Sequence, residues 1–228
     1  NYIPKGYKIP SDVDYFHCTS NNTIFGTQMK EFPEVPSLMV CDMSSDIFSR
    51  KIDVSKFDLI YAGAQKNMGP AGTTLVILKD QILGRTGREI STMLDYNTHI
   101  SKDSMFNTPP VFSIYVSMLT LQWLKDHGGI QWIEKVNNQK AELLYNEIDR
   151  NPLFEGVAKQ EDRSNMNVTF TLKDSTLEET FNQMWNGAGI SGLNGHRSVG
   201  GYRASIYNAM PIESVQVLVD IMKNLENI

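Results

Sequence analysis

The sequence predicts an α/β protein with a smaller α+β unit toward its C-terminal end. Three observations lead to this fold class. Short apolar runs at 57–61 and 73–78 are rich in strand-forming residues and are typical of buried strands. Two longer stretches, 111–126 and 130–151, have apolar residues at helical spacing. Beyond Pro152 the pattern changes to shorter strands and helices, so we place a domain boundary near residue 131, between domains 1–131 and 132–228.

Composition limits the class of protein. The chain has 228 residues, of which 41% are hydrophobic, enough for a real core. Its net charge of −5 argues against a general nucleic-acid binder. No apolar run reaches membrane-spanning length and no basic-then-apolar leader precedes Asn1, so we expect a cytoplasmic protein without nucleic-acid or membrane partners. Because residue 1 is Asn and not Met, we also expect a fragment or a cleaved product.

The first elements follow from local pattern. Residues 1–14 contain prolines and a glycine and are expected to form a loop. Tyr15–Thr19 is expected to be a strand, followed by a turn at 20–26. The apolar run 38–41 predicts a second strand, which ends at Asp42. The two cysteines do not make a disulfide framework, and Cys41 is interpreted as a small core residue.

The middle of the chain is predicted to contain a hairpin and two helices. The runs 57–61 and 73–78 flank a Gly/Ala/Pro-rich turn, and a polar stretch at 97–104 leads to Pro109 and Pro110. The helix 111–126 is expected to bury one apolar face, and the helix 130–151 another. The side chains predicted to form these faces are Ile114, Met118, Leu121 and Leu124 on the first helix, and Ile133, Val136, Leu143, Leu144 and Ile148 on the second.

The C-terminal elements alternate between strand and helix. We predict a strand at 166–172, a helix at 176–188, a strand at 202–207 and a closing helix at 212–225. Ser175 or Thr176 is the expected N-cap of the first of these helices. This order indicates an α+β sandwich that packs separately from the first part.

Lys66 is the candidate catalytic residue. It lies in the tight turn between the two hairpin strands, where a backbone comes close to a ligand. A lysine that is desolvated there can form a Schiff base with a carbonyl. The local pattern is equally compatible with a solvated loop lysine. Asp42 lies 24 positions earlier at a predicted strand end. An aspartate and a lysine in this order suit a pyridoxal phosphate site, in which the carboxylate keeps the pyridine nitrogen protonated.

Motifs along nearly the whole chain closely resemble the phosphoserine aminotransferase family, within the class V, fold-type I pyridoxal phosphate enzymes. The motifs are Asp42–Ser45, Tyr61–Asn67, Gly69–Gly72, Ser104–Pro110, Asn138–Tyr145, Gly195–Arg197 and Arg203–Pro211. The resemblance implies part of the fold-type I large domain, a mostly parallel sheet with helices, followed by a small α+β domain. It also implies pyridoxal 5'-phosphate as cofactor and no metal site.

The resemblance assigns roles to nine residues. Lys66 would be the Schiff-base lysine and proton shuttle. Thr23, Asp42 and Gln65 would bind the cofactor with it, and Asn107 and Thr108 would reach the cofactor phosphate of a neighbouring subunit in a homodimer. The residues that would bind substrate are His196, Arg197 and Arg203. From the residues alone, a turn contact for Thr23, a polar cap for Asn107 and Thr108, and a basic surface turn for the substrate group remain open.

The implied reaction transfers an amino group from L-glutamate to 3-phosphohydroxypyruvate, giving O-phospho-L-serine and 2-oxoglutarate in serine biosynthesis. The resemblance also implies a related reaction in pyridoxine biosynthesis. Other motifs of the family, a glycine-rich phosphate turn, a ring-stacking tryptophan and a further His-Arg pair, would lie upstream of residue 1. Two alternatives therefore remain. The first alternative is another class V aminotransferase with a different acceptor. The second is an inactive truncated fragment that acts only in folding or dimerisation.

Overall fold

The computed structural model describes residues 1–228. The strands, in chain order, are β1 (Tyr15–Thr19), β2 (Asn21–Asn22), β3 (Thr27–Gln28), β4 (Leu38–Asp42), β5 (Leu59–Gly63), β6 (Thr74–Leu78), β7 (Phe154–Gly156), β8 (Asn167–Leu172) and β9 (Tyr202–Ser205). The α-helices are α1 (Tyr96–Ile100), α2 (Val111–Asp126), α3 (Gly129–Arg150), α4 (Glu178–Gly187) and α5 (Ile212–Glu226). None of these helices combines the length and the apolar character that a bilayer crossing requires.

The N-terminal part is built on a four-stranded sheet in the order β1-β4-β5-β6. The first three strands run parallel and β6 is antiparallel to β5. The α/β fold class and the mostly parallel sheet are therefore confirmed. One face of this sheet packs on a buried cluster of nine hydrophobic residues between Met39 and Met68. Because parallel strands end at a common edge, the carboxyl ends of β1, β4 and β5 meet there.

The C-terminal part is an antiparallel sheet in the order β7-β8-β9, covered by helices. Nineteen buried hydrophobic residues between Ala141 and Leu225 form its core. The predicted α+β arrangement is confirmed, and β7 is an additional strand that the sequence did not predict. The proposed boundary near residue 131 falls inside α3 and stays a prediction.

Two local predictions were wrong. Ile114 and Met118 of α2 are exposed, because the helix approaches the rest of the chain through Ser113, Ser117 and Leu124 instead. The side chain of Asp174, rather than Ser175 or Thr176, caps the turn that precedes α4, where it accepts a hydrogen bond from the Thr176 N–H. The polar stretch 97–104 contains most of the short helix α1, whose first turn is capped by Asp95.

Candidate active site

The turn that contains Lys66 is held by backbone hydrogen bonds. The Ala64 N–H donates to the Thr73 carbonyl at 2.9 Å and closes the β5-β6 hairpin. The N–H groups of Met68 and Gly69 both donate to the Ala64 carbonyl, at 3.0 and 2.9 Å, and wind the chain into a single helical turn. The turn follows directly after β5, so Lys66 lies at the carboxyl edge of the parallel strands.

Helix α2 packs against this turn through small residues. A Cβ atom on Gly69 would lie 2.7 Å from the Ser117 Oγ and 3.1 Å from its Cα. Gly72, which has a φ of 115°, would place one 2.8 Å from the Ser113 Oγ. Ser113 also donates to the Ala71 carbonyl at 2.9 Å. The glycines are therefore needed for close approach of the helix, which fixes the far side of the Lys66 turn.

The Lys66 amine has one hydrogen-bond partner, the Thr23 hydroxyl. Its Nζ donates to Thr23 Oγ1 at 2.9 Å. Thr23 lies in the turn between β2 and β3, next to the Asn22 side chain, which accepts from two backbone N–H groups of that turn. Burial lowers the pKa of Lys66, and the positive charge of Arg203 lowers it further, while the Asp42 carboxylate acts in the opposite direction. A larger fraction of this amine is therefore neutral than for an ordinary lysine.

Asp42 lies at the end of β4, between the ends of β1 and β5. Strand register places it beside Thr19 on one side and Tyr61 on the other. Its Oδ1 accepts a hydrogen bond from the Ser44 N–H at 2.8 Å, and the Ser44 hydroxyl accepts from the Gly63 N–H at 3.1 Å. The carboxylate is thus oriented by the chain that follows it, and it forms no ion pair.

Two residues beside Asp42 were not singled out from the sequence. The Tyr61 hydroxyl lies 3.0 Å from the His17 Nε2, and their rings stack with centroids 6.0 Å apart. Burial raises the pKa of Tyr61, and the neighbouring Asp42 charge adds to the effect. Alternation along the strands puts these side chains on one face. Predicting from the sequence that His17 and Tyr61 lie close together would also have required the strand register.

Arg203 is the candidate substrate residue whose positive charge contributes to the lowered pKa of Lys66. It is on β9, opposite Thr169 of β8, and its charge is felt at Lys66. Its buried Nε has no hydrogen-bond partner. The side chain also lines a cavity of about 340 Å³ between β9 and α5, together with Ile190 and Met210. Arg203 therefore has an unused donor near the Lys66 side of the molecule.

The side chains of the other candidate residues form no hydrogen bond with Lys66 within this chain. Gln65 is exposed, and its amide folds back over Gly63. Asn107 and Thr108 are exposed, and the Asn107 Nδ2 donates to the Thr108 carbonyl at 3.3 Å.

His196 and Arg197 lie on the loop before β9. The His196 Nδ1 accepts a hydrogen bond from the Ser198 N–H at 3.2 Å and lies 2.8 Å from its hydroxyl. Arg197 is exposed. His196 is therefore held locally, and neither side chain forms a hydrogen bond with Lys66.

A buried amide cluster connects the lysine turn to the C-terminal part. The Asn67 Oδ1 accepts a hydrogen bond from the Asn208 N–H at 3.0 Å, and the Asn208 Oδ1 accepts from the Asn137 Nδ2 at 2.9 Å. The Asn67 Nδ2 donates to the Ile47 carbonyl at 3.0 Å. The residue next to Lys66 is thus tied to both parts of the chain. No sequence pattern indicated this cluster, because its members are far apart along the chain.

Comparison with known proteins identifies the family of the chain. A family model described as aminotransferase class-V matches residues 7–218. The phosphoserine aminotransferase of Flavobacterium psychrophilum is 73% identical over 227 residues, and the match covers 100% of this chain and 64% of that protein. The chain therefore spans less than two thirds of the length of this relative.

Solved structures give the same result. A phosphoserine aminotransferase studied for radiation damage of its Schiff base is 47% identical with a TM-score of 0.95, over 99% of this chain and 64% of that one. A PLP-bound phosphoserine aminotransferase from Trichomonas vaginalis is 38% identical with a TM-score of 0.89, over 95% of this chain and 62% of that one. The resemblance inferred from the motifs is confirmed, and the chain belongs to the class-V aminotransferase family.

Proposed function

We propose that this chain is the lysine-bearing part of a pyridoxal phosphate-dependent phosphoserine aminotransferase. The reaction transfers an amino group from L-glutamate to 3-phosphohydroxypyruvate and gives O-phospho-L-serine and 2-oxoglutarate, a step of serine biosynthesis. A related amino transfer in pyridoxine biosynthesis is a second role of the same site. The observation that carries the proposal is the half-buried Lys66 amine, bonded to Thr23 alone, at the strand edge where β4 ends in Asp42.

The residues at this edge fit the cofactor. Lys66 and Asp42 are both partly buried, yet neither forms an ion pair with another residue. Partly buried charges without ion-pair partners suit a ligand that supplies the missing partners. Pyridoxal phosphate supplies an aldehyde and an electron-accepting ring. Lys66 would hold the aldehyde, Asp42 the pyridine nitrogen, and Gln65 the phosphate, with Thr23 beside the amine.

The chain's own groups then have separate tasks. The lowered pKa of Lys66 leaves a larger fraction of the amine neutral and able to take up a proton. The Arg203 guanidinium, with its unpartnered Nε, would bind the substrate α-carboxylate. His196 and Arg197, on the neighbouring loop, would bind the substrate phosphate or the distal carboxylate of glutamate.

We further propose that two copies form a homodimer with shared sites. Asn107 and Thr108 are exposed and form no hydrogen bond with their own Lys66. They lie just before α2, whose side chains Val111, Phe112 and Tyr115 are 68, 73 and 54% exposed. Apolar exposure of this extent is typical of an interaction surface. In such a dimer the amide and hydroxyl donors would reach the partner's cofactor phosphate. We place this activity in the cytoplasm, where amino acids are synthesised, without nucleic-acid or membrane partners.

Borohydride trapping tests the proposal directly. The chain is mixed with pyridoxal phosphate, its absorbance spectrum is recorded before and after borohydride, and peptides are analysed by mass spectrometry. We expect a reducible absorbance band and a pyridoxyl group on Lys66. Lys66→Ala should remove both, and Lys56→Ala, at an exposed lysine, should retain them.

Labelling spread over exposed lysines, or none at all, would contradict a working lysine site. A colourless chain that still dimerises would favour the alternative of a folding or dimerisation unit. Equal turnover of phosphorylated and unphosphorylated keto acids would favour a different class V acceptor.

Arginine substitutions test the substrate assignment. Arg203→Ala should weaken binding of L-glutamate by about 10- to 100-fold, because a charge-assisted hydrogen bond contributes about 1.5–3 kcal/mol. Arg197→Ala should reduce affinity for the phosphorylated keto acid more than for its unphosphorylated analogue. Equal losses of glutamate and pyridoxal phosphate affinity in Arg203→Ala would point to misfolding instead.

A further inference from the structure

The two cysteines of the chain lie side by side on neighbouring strands. Cys18 of β1 is directly opposite Cys41 of β4 in the parallel register. Their Sγ atoms are 3.6 Å apart, and both are free thiols. Paired residues of neighbouring strands point to the same face of a sheet, and here both side chains face the nine-residue core of the N-terminal part. Cys41 is therefore a core residue, as interpreted from the sequence, but it also has a second thiol, that of Cys18, directly beside it.

The backbone geometry allows a bond between them. Neighbouring strands lie about 4.8 Å apart. This spacing is within the Cα separation of about 4.4–6.8 Å found in disulfides. Forming the bond requires the two sulfur atoms to approach by roughly 1.5 Å, to an S–S length of about 2.05 Å. Small rotations of two side chains supply that movement without a change of strand register.

The two thiols differ in access and in reactivity. Cys18 is partly exposed, whereas Cys41 is 0% exposed, so an oxidant reaches Cys18 first. The hydrogen bond with Cys41 lowers the pKa of Cys18, which favours the reactive thiolate. The same hydrogen bond and burial raise the pKa of Cys41. Once Cys18 is oxidised to an uncharged form, neither its hydrogen bond nor its negative charge raises the pKa of Cys41 any longer.

We propose that Cys18 and Cys41 form a reversible disulfide within the chain, with peroxide as the oxidant and Cys18 as the first residue to react. The Cys18 thiolate attacks one peroxide oxygen, the O–O bond breaks, and a protonated hydroxide leaves as water. The Cys41 sulfur then attacks the Cys18 sulfenic acid, the S–O bond breaks, and the Cys41 proton leaves with the hydroxyl group as a second water. Two thiols are oxidised by two electrons and one hydrogen peroxide is reduced.

The bond would form one residue before the proposed pyridine-binding carboxylate. Cys41 precedes Asp42 and Cys18 precedes Thr19, and these following residues are themselves paired in register. The disulfide would therefore join β1 and β4 at their carboxyl edge. The proposal does not depend on the proposed reaction, because it concerns only the two strands and their thiols.

Thiol counting tests the disulfide. The whole chain is reduced, freed of reductant, diluted, treated with a small excess of hydrogen peroxide, and then unfolded in guanidinium with a maleimide label. We expect two labels per intact chain before oxidation and none after it, with dithiothreitol restoring both. Peptide mapping without reductant should find Cys18 linked to Cys41.

Two variants separate the order of events. Cys41→Ser should accumulate a Cys18 sulfenic acid that dimedone traps, and Cys18→Ser should leave Cys41 open to the label after the same treatment. Any of three results would overturn the proposal: both thiols still free in the oxidised wild type, Cys18 oxidised further without a link, or a link that joins two chains.

Discussion

The C-terminal part of the chain has a large, well-covered hydrophobic core, whereas the N-terminal part has a smaller core and leaves apolar side chains exposed. Nineteen hydrophobic residues are buried between Ala141 and Leu225, against nine between Met39 and Met68. In the first cluster, aromatic rings of Phe154, Phe170, Phe181 and Tyr202 contact one another. Helix α2, beside the second cluster, leaves several large apolar side chains exposed. Packing energy is therefore concentrated in the C-terminal part, and the candidate chemistry lies in the more open N-terminal part.

The largest expected effect contrasts two helical phenylalanines. Phe181 on α4 is 0% exposed and Phe112 on α2 is 73% exposed. Phe181→Ala should lower the free energy of unfolding by about 3–5 kcal/mol, because it removes a buried ring and leaves a cavity. At a dilution at which the chain is monomeric, and α2 is not covered by the proposed partner copy, Phe112→Ala should change it by less than about 0.5 kcal/mol. Urea unfolding followed by circular dichroism measures both.

The pair is matched, since both positions are helical and alanine is a good helix former in each. If the two substitutions cost the same, the exposed face of α2 is already covered in solution and the contrast between the two parts does not hold. Repeating the unfolding over a range of protein concentrations would then identify self-association as the cause.

A smaller effect is expected at a buried lysine inside the C-terminal part. Lys140 of α3 is completely buried, and its Nζ donates to the carbonyls of Ile206, Tyr207 and Met210 at 3.0, 2.8 and 3.1 Å. Lys140→Met keeps the length of the side chain but removes the donors. We expect a loss of about 2–4 kcal/mol, because buried carbonyl groups lose a partner.

Lys135→Met is the control, at an exposed position of the same helix. It should be nearly neutral. A neutral Lys140→Met would show that water replaces the amine at these carbonyls and that the segment after β9 is not held by α3.

Much of the fold could be predicted because local pattern determines it. The apolar runs on either side of Lys66 became β5 and β6, and the helical spacing of 111–126 gave the bounds of α2. Periodicity identifies an apolar face, but it does not say whether anything covers it. For this reason the burial of Ile114 and Met118 was predicted wrongly. The contact of Gly69 with Ser117 has no hydrophobic signal at all.

The candidate site was predictable where motifs lie in one stretch of chain. Lys66 and Asp42 were found through their turn and strand end, and the structure adds the Thr23 contact of the lysine. The His17–Tyr61 pair depends on strand register, and the bond from Asn208 to Asn67 crosses most of the chain. Such long-range polar contacts leave no periodic pattern, so a structure is required to see them.

The smallest expected effect concerns the carboxyl edge of the N-terminal sheet, where Lys66 lies. Thr23→Val removes the hydroxyl that accepts from Lys66 and keeps the shape of the side chain. An accepting hydroxyl favours the charged amine, so its loss should lower the Lys66 pKa further. The midpoint for Lys66, which burial already places below its ordinary 10.5, is measured from the pH dependence of acetylation by mass spectrometry. Stability should change by only about 1 kcal/mol, the usual contribution of one hydrogen bond.

Thr120→Val provides the comparison, because Thr120 loses a hydroxyl bond to the Val116 carbonyl on α2. It should leave the Lys66 midpoint where it is in the wild type. A wild-type midpoint at or above 10.5, or a rise in Thr23→Val, would mean that Lys66 is a solvated loop lysine. In that case the carboxyl edge of the N-terminal sheet would not lower the pKa of the Lys66 amine. The contrast between the two parts would then be one of packing alone.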